Sequence, residues 1–167
     1  YWPTKMIVPS TEIVHDRANL EVFRGCIRGC RFCQAGFSCR PVRKKSPEVL
    51  YRQAVEILEH SGNNEITLSS LSTSDYRGLR ELTDELIPYC ADHKINLSVP
   101  SLRADNFSRE LMEKLQTVRK SGLTFAPEAG TQRLRDVINK NLTEDEILGT
   151  CAQAFSGGWN NVKLYFM

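Results

Sequence analysis

Apolar and polar residues follow two alternating patterns along this chain. Short runs rich in β-branched and aromatic residues are separated by longer segments with an apolar residue at every third or fourth position. These two periods are typical of strands and amphipathic helices. Because strand, helix and strand recur in that order, neighbouring strands should be parallel, which predicts an α/β sheet or barrel. The predicted strands are residues 20–25, 65–71, 95–101, 123–127 and 161–167.

Capping residues set the limits of the predicted helices. The first begins at Ser46 with Pro47 in its first turn and ends at Gly62, where a left-handed glycine cap is expected. Thr143 and Glu146 form a capping box for the last helix, which ends at residues 157–158. Three more helices are predicted between these two. One has an apolar face of Leu79, Leu82, Leu86 and Cys90, and the next is capped by Ser108 and has Leu111, Leu115 and Val118 facing inward. A shorter helix is predicted at 131–139.

Three cysteines, Cys26, Cys30 and Cys33, lie within the eight-residue segment CIRGCRFC at residues 26–33. Thiolates this close together can hold one iron–sulfur cluster from a single loop. Three protein ligands leave one iron of a four-iron cluster open to a substrate or cosubstrate, whereas a site with four cysteines only transfers electrons. The segment follows the first predicted strand, so we expect it at the carboxyl edge of the sheet, where ligands gather in α/β folds.

Cys39 leaves other kinds of site open. As a fourth ligand it would give a closed zinc site, since structural zinc takes four ligands, or a non-catalytic iron–sulfur site that transfers electrons. A disulfide framework fits less well, because six cysteines with three in one cluster favour a reducing compartment. Cys90 and Cys151 are expected to be small core residues on helix faces.

Length and composition indicate one ordinary globular core. The 167 residues are 41% hydrophobic and 25% charged, with a net charge of +2, which gives no overall signal for nucleic-acid binding. No apolar run is long enough to span a membrane, and we expect a cytoplasmic protein with no membrane partner. The first residue, Tyr1, is not Met, and the chain ends in an apolar run. We therefore expect residues 1–17 to lead in from an upstream domain and residues 18–167 to form an incomplete core.

Residues 24–45 carry seven basic side chains and no Asp or Glu. Such a segment could surround buried thiolates and a cosubstrate carboxylate, because positive charge stabilises buried negative charge. It could equally face a polyanion such as RNA, or form a solvated loop.

The cysteine spacing resembles the C-x-x-x-C-x-aromatic-C signature of the radical S-adenosylmethionine (SAM) superfamily. The segments FRGC at 23–26, RPVR at 40–43, SLSTSDY at 70–76 and FAPEAG at 125–130 resemble its subgroup with an upstream cobalamin-binding-type domain. The resemblance runs from about residue 18 to the end of the chain. It implies a partial, TIM-like (β/α)6 barrel, here truncated after the fifth strand.

The resemblance also implies a chemistry and its cofactors. In this superfamily three cysteines bind a 4Fe–4S cluster, and the fourth iron binds the amino and carboxylate groups of SAM. One electron then breaks a sulfur–carbon bond of SAM, and the resulting 5′-deoxyadenosyl radical abstracts hydrogen from a substrate. The protein positions the cofactors and excludes water. Cobalamin would be a further cofactor only through a domain outside this chain.

Several residues match the family's pattern. The resemblance implies Cys26, Cys30 and Cys33 as the cluster ligands and Phe32 as the aromatic near the SAM adenine. Glu128 ends the fourth predicted strand and matches a Glu or Gln that contacts the SAM ribose or amino group. Further matches are Lys140, which aligns with a residue that binds the SAM carboxylate in some members, and Ser101 and Arg103, which close the third strand where polar SAM contacts are common.

One segment departs from the pattern. Where the family usually has a Gly-Gly-Glu-like motif for the SAM ammonium group, this chain has SSLS at residues 69–72. We expect Ser70 or backbone carbonyls to take that place, with Asp75 capping the following turn. Surface salt bridging is the alternative for Arg103, and a helix-dipole contact is the alternative for Lys140.

The partners of the reaction are less defined. The resemblance implies a cellular electron donor such as flavodoxin or ferredoxin. The basic stretch makes RNA conceivable as the substrate, and the cobalamin-linked relatives make methyl transfer conceivable. Neither follows from the residues themselves.

Overall fold

The computed structural model describes residues 2–100, 103, 105 and 122–167. In chain order its elements are β1 (Ala18–Glu21), β2 (Phe23–Arg24), α1 (Ala35–Ser38), β3 (Arg43–Lys44), α2 (Pro47–Ser61), β4 (Glu65–Ser69), a 3-10 turn (Thr73–Asp75), α3 (Leu79–Asp92), β5 (Asn96–Ser98), β6 (Leu123–Glu128), α4 (Gln132–Val137), α5 (Glu144–Ser156) and β7 (Val162–Phe166).

The longer strands form two parallel groups. Strands β1, β4 and β5 make one sheet in that order, with Leu20 opposite Leu68. Strands β6 and β7 pair in parallel, with Phe125 opposite Leu164. The predicted α/β class is therefore confirmed, and the described strands form part of a barrel rather than a closed one.

The core lies between the first sheet and helices α2 and α3. Helix α2 packs on β1 and on α3, because its apolar residues recur on one face. The fully buried side chains include Leu20, Leu50, Ile57, Ile66, Leu68, Leu82, Leu86 and Phe125. This packing holds the carboxyl ends of β1 and β4 side by side.

Val22 divides the first predicted strand, which covers residues 20–25, into two. Before Val22 the chain pairs with β4, and after it β2 pairs in antiparallel fashion with β3, Phe23 opposite Lys44. Pairing of β3 was missed because Arg43 and Lys44 are both exposed and give no alternating apolar signal.

Most helix limits agree with their predicted caps. Gly62 has φ +67° and ends α2, and the capping box of Thr143 and Glu146 is formed at the start of α5. The predicted helix beginning at Ser108 lies outside the described residues. Cys90 is fully buried, whereas Cys151 is only half-buried, because it lies near the edge of the face that α5 packs inward.

Among the described residues, no helix combines the length and the apolar character that crossing a membrane requires.

Candidate functional site

A loop between β2 and β3 carries the three clustered cysteines, and Gly25 closes it. Gly25 has φ +91°, and a Cβ placed there would lie 2.4 Å from the backbone oxygen of Cys39 and 3.1 Å from that of Pro41. Any side chain at residue 25 would therefore push the two ends of the loop apart. The term cysteine loop is used below for residues 25–42.

The cysteine loop supplies thiols suited to a metal cluster. Cys26, Cys30 and Cys33 are free thiols, the first two buried and the third half-buried. The backbone N–H of Arg28 donates to Sγ of Cys26 at 3.4 Å. In the described part of the chain no three His, Cys, Asp or Glu side chains are already grouped to hold a metal ion. The fit to a cluster therefore rests on donor chemistry, three free thiols on one closed loop.

The turn that follows α4 holds the cysteine loop from the other side. The backbone N–H of Arg31 donates to the oxygen of Ile138 at 2.9 Å, and Nδ2 of Asn139 donates to the oxygen of Gly29 at 2.7 Å. Asn139 has φ +54°, a conformation that Asn tolerates better than most residues. The turn thereby connects the cysteine loop to the segment that follows β6.

Three predicted SAM contacts lie together beside this turn. Nζ of Lys140 is 3.5 Å from Oε1 of Glu128, and both side chains are largely shielded, at 11% and 17% exposure. The same nitrogen is 5.9 Å from the ring centre of Phe32, and the Phe32 ring is partly open to solvent. The structure thus brings Glu128 and Lys140 together beside Phe32, the residue that precedes Cys33 in the sequence.

Arg103 and Ser70 have protein partners of their own. Arg103 donates from Nε and Nη2 to the two oxygens of Asp105 at 2.9 and 3.2 Å, and at 12% exposure this ion pair is not on the surface. The hydroxyl of Ser70 is 2.8 Å from Oγ1 of Thr73. Ser101 lies outside the described residues.

Asp75 has a larger role than the predicted turn cap. It accepts a hydrogen bond from Oγ of Ser72 at 2.7 Å, as a turn residue would, but it also accepts two from the guanidinium of Arg28. Burial alone would raise the pKa of Asp75, yet the hydrogen bonds from Arg28 and Ser72 and the charges of Arg28 and Arg103 outweigh it and lower that pKa. The Asp75 hydrogen bond, in turn, raises the pKa of Arg28 above its ordinary value. The prediction for Asp75 was therefore incomplete.

Most side chains of the basic stretch pair with other groups of the same chain. Arg24 pairs with Glu21 at 2.7 Å, and Arg40 donates to the backbone oxygens of Gly36 and Arg28. Arg28, Arg31 and Lys45 also donate to other residues of the chain. Five of the seven basic side chains thus have partners within the chain. The roles of Arg28, Asp75 and Asp105 were missed because the sequence showed only a stretch with basic residues and no Asp or Glu, which does not identify the carboxylates that pair with it.

Relatives known by sequence are longer than this chain. An uncharacterized protein of Methanocaldococcus jannaschii is 37% identical over 148 residues, which are 89% of this chain and 32% of the relative. A threonylcarbamoyladenosine tRNA methylthiotransferase (MtaB) of Treponema pallidum is 27% identical over 144 residues, 81% of this chain and 28% of that enzyme. The chain spans about a third of the length of the curated relatives it matches.

Solved structures share the fold. The cobalamin-dependent SAM radical enzyme OxsB with aqua-cobalamin bound superposes with a TM-score of 0.67 at 16% identity, covering 89% of this chain and 23% of OxsB. HydG, a maturase of the [FeFe]-hydrogenase, superposes with a TM-score of 0.51 at 19% identity, covering 90% of this chain and 35% of HydG. At these identities the likeness concerns the fold.

A match to a family model shows which family the chain belongs to. The radical SAM superfamily model matches residues 20–167, a span that includes the cysteine loop and every strand from β2 to β7. Members of this family use a 4Fe–4S cluster and SAM, and three free thiols on one loop suit the first of these cofactors. The family match, the fold and the cysteine spacing agree, and the chain belongs to the radical SAM superfamily of enzymes.

Proposed function

We propose that this chain binds a 4Fe–4S cluster through Cys26, Cys30 and Cys33, binds SAM beside it, and cleaves SAM reductively. The cluster, when bound, supplies the electron that splits SAM into methionine and a 5′-deoxyadenosyl radical, which acts on a substrate still to be identified. The observation that carries the proposal is the proximity of Phe32, in the cysteine loop, to Lys140 and its partner Glu128.

The charges at this site complement those of SAM. SAM carries an amino group and a carboxylate on one carbon, and Glu128 and Lys140 offer one charge of each sign. Their 3.5 Å separation is longer than the 2.7–2.9 Å typical of a strong charge-assisted hydrogen bond. Glu128 and Lys140 can therefore exchange this weak contact for contacts with the amino and carboxylate groups of SAM. The partly exposed ring of Phe32 offers an apolar surface to the adenine.

Other features of the proposal come from the relatives. OxsB is a cobalamin-dependent enzyme by its title, which supports cobalamin as a further cofactor held outside these residues. The tRNA methylthiotransferase acts on RNA by its name. In this chain, however, most of the basic stretch binds internal partners, so that stretch supports anchoring of the loop better than binding of RNA. A flavodoxin or ferredoxin in the cytoplasm is the proposed source of electrons.

The metal ligands are tested by anaerobic reconstitution with iron and sulfide. We expect about four irons per chain and absorbance that dithionite bleaches. Replacing Cys26, Cys30 or Cys33 by Ala should abolish both signals. The matched control is Cys39→Ala, because Cys39 belongs to the same loop but is exposed. Loss of iron in Cys39→Ala would instead indicate a closed, electron-transferring or zinc site.

Binding of SAM separates the enzyme from an electron carrier. SAM should change the electron paramagnetic resonance spectrum of the reduced cluster, and reduction should release 5′-deoxyadenosine slowly. Glu128→Ala or Lys140→Ala should keep the iron but weaken SAM binding, since each loses a charge-assisted contact worth about 1.5–3 kcal/mol, roughly ten- to a hundred-fold in affinity. Cluster-loaded protein that neither binds SAM nor forms 5′-deoxyadenosine would contradict the proposal.

A further inference from the structure

In the sequence Arg28 lies between Cys26 and Cys30, two of the proposed cluster ligands. Its side chain contacts two other segments of the chain. Nε donates to Oδ2 of Asp75 at 2.9 Å, and Nη2 donates to the other oxygen of the same carboxylate. Nη1 lies 3.2 Å from Oδ2 of Asp105. Asp75 follows β4 and Asp105 follows β5, so one guanidinium joins the cysteine loop to the carboxyl ends of two strands.

The two carboxylates extend these contacts toward the proposed SAM site. Asp105 also binds the guanidinium of Arg103 through both of its oxygens. Arg103 then donates from Nη2 to the backbone oxygen of Lys140 at 3.1 Å. The term Arg28 network is used below for Arg28, Asp75, Asp105 and Arg103. This network runs from the cysteine loop to the residue proposed to bind the SAM carboxylate.

The backbone of Arg28 is held as firmly as its side chain. Its N–H contacts Sγ of Cys26 at 3.4 Å, and its carbonyl oxygen accepts from Nη2 of Arg40 at 3.2 Å. A Cβ at Gly36 would lie 3.0 Å from that oxygen, so α1 packs closely against it. A movement of the guanidinium would therefore be passed to the segment that carries Cys26 and Cys30.

Burial strengthens the ion pairs by which Arg28 holds the cysteine loop against Asp75 and Asp105. The side chain of Asp75 is 6% exposed, that of Asp105 14% and that of Arg28 23%. A two-point contact between a guanidinium and a carboxylate fixes distance and orientation together, and it is screened less by solvent when it is shielded. An exposed pair would hold the loop much less firmly.

We propose that Arg28 is a positioning residue that fixes the cysteine loop relative to the SAM contacts at Glu128 and Lys140. The inference rests on the proposed function and adds to it. Arg28 acts through its contacts with Asp75 and Asp105 and, through Asp105, with Arg103. Without its guanidinium the three thiols can still bind iron, but the cysteine loop is no longer fixed relative to Glu128 and Lys140. Weak SAM binding at full iron content is the expected signature.

The experiment compares Arg28→Gln and Asp75→Asn with two reference variants. Arg28→Lys keeps the charge but cannot make the two-point contact, and Arg43→Gln removes an exposed arginine of the same basic stretch. Iron content, thermal unfolding of the iron-free protein, and SAM affinity from the paramagnetic resonance spectrum are measured for each. We expect Arg28→Gln and Asp75→Asn to keep their iron and lose at least tenfold in SAM affinity. Arg28→Lys should recover part of this loss, and Arg43→Gln should match the unmodified protein.

Three results would overturn the positioning role. The first is unchanged SAM affinity in Arg28→Gln, and the second is equal loss of affinity in Arg43→Gln. The third is loss of iron in a variant that unfolds like the unmodified protein, because Arg28 would then act in cluster assembly. If Arg28→Gln fails to fold, Asp105→Asn takes its place: it weakens the link from Arg28 to Arg103, while the contact between Arg28 and Asp75 still supports the fold. Absence of iron or SAM binding in the unmodified protein contradicts the proposed function instead, so the two failures are distinguishable.

Discussion

Glu128 offers a way to separate backbone strain from ligand binding at the end of β6. Its φ of +69° lies in the left-handed region, which costs a residue with a Cβ about 1–2 kcal/mol. Neighbouring contacts keep it there. Its carbonyl oxygen accepts from the backbone N–H of Met167 at 2.9 Å, and the next carbonyl, that of Ala129, accepts from Arg135 at 3.0 Å.

Two substitutions of Glu128 both remove the carboxylate but differ in the strain that they leave. Glu128→Ala removes the carboxylate and keeps a Cβ, whereas Glu128→Gly removes both. Glycine relieves about 1–2 kcal/mol of strain but loses about 0.5–1 kcal/mol to its greater freedom in the unfolded chain. We therefore expect the glycine variant to be the more stable by up to about 1.5 kcal/mol, or up to about 6 °C in melting temperature for a chain of this size.

The two variants are compared by thermal and urea unfolding of the iron-free protein, followed by SAM titration after reconstitution. Both should lose SAM affinity equally, because both lack the carboxylate that Lys140 contacts at 3.5 Å. A glycine variant that melts below the alanine variant would refute the strain argument. A glycine variant that binds SAM as tightly as the unmodified protein would refute the role of the carboxylate.

Three further predictions concern stability. Because the pKa of Asp75 is lowered in the folded protein, its ionised carboxylate contributes to folding stability above about pH 4, and this contribution is lost as the pH falls through the lowered pKa. Asp75→Asn should therefore be less stable near pH 7 but show a flatter acid limb in unfolding measured against pH. Leu68→Ala should cost about 2–5 kcal/mol in urea unfolding, because Leu68 is fully buried in β4 and leaves a cavity. Thr143→Ala should cost about 1 kcal/mol by the same assay, since it removes the hydroxyl that accepts from the Glu146 N–H at 3.2 Å; no loss would mean that the cap is dispensable.

The parts of the fold that depend on neighbouring residues could be predicted from the sequence. Gly62 ends α2 and the Thr143 capping box begins α5 as expected, because caps are made by residues three or four positions apart. The strand positions also followed from local apolar runs. The change of partner at Val22 did not, since the pairing of β2 depends on a strand that lies beyond the cysteine loop.

The site was predicted unevenly for the same physical reason. The spacing of the cysteines is local, and the resemblance placed Phe32, Glu128 and Lys140, which the structure brings together. The partner of Arg28 lies 47 positions away in Asp75, and no periodic pattern links such residues. A run of positive charge shows that partners are needed but does not say which carboxylates supply them.

The close approach at Gly25 also bears on how readily the loop binds a metal. For a loop of residues 25–42, bringing the ends together costs about 2–3 kcal/mol in chain entropy. The folded β2–β3 ribbon supplies this closure in advance, so metal binding has less backbone to order than it would in a free peptide, although the three thiols still have to converge. We therefore expect iron affinity to depend on the pairing of these two short strands, although neither contains a cysteine.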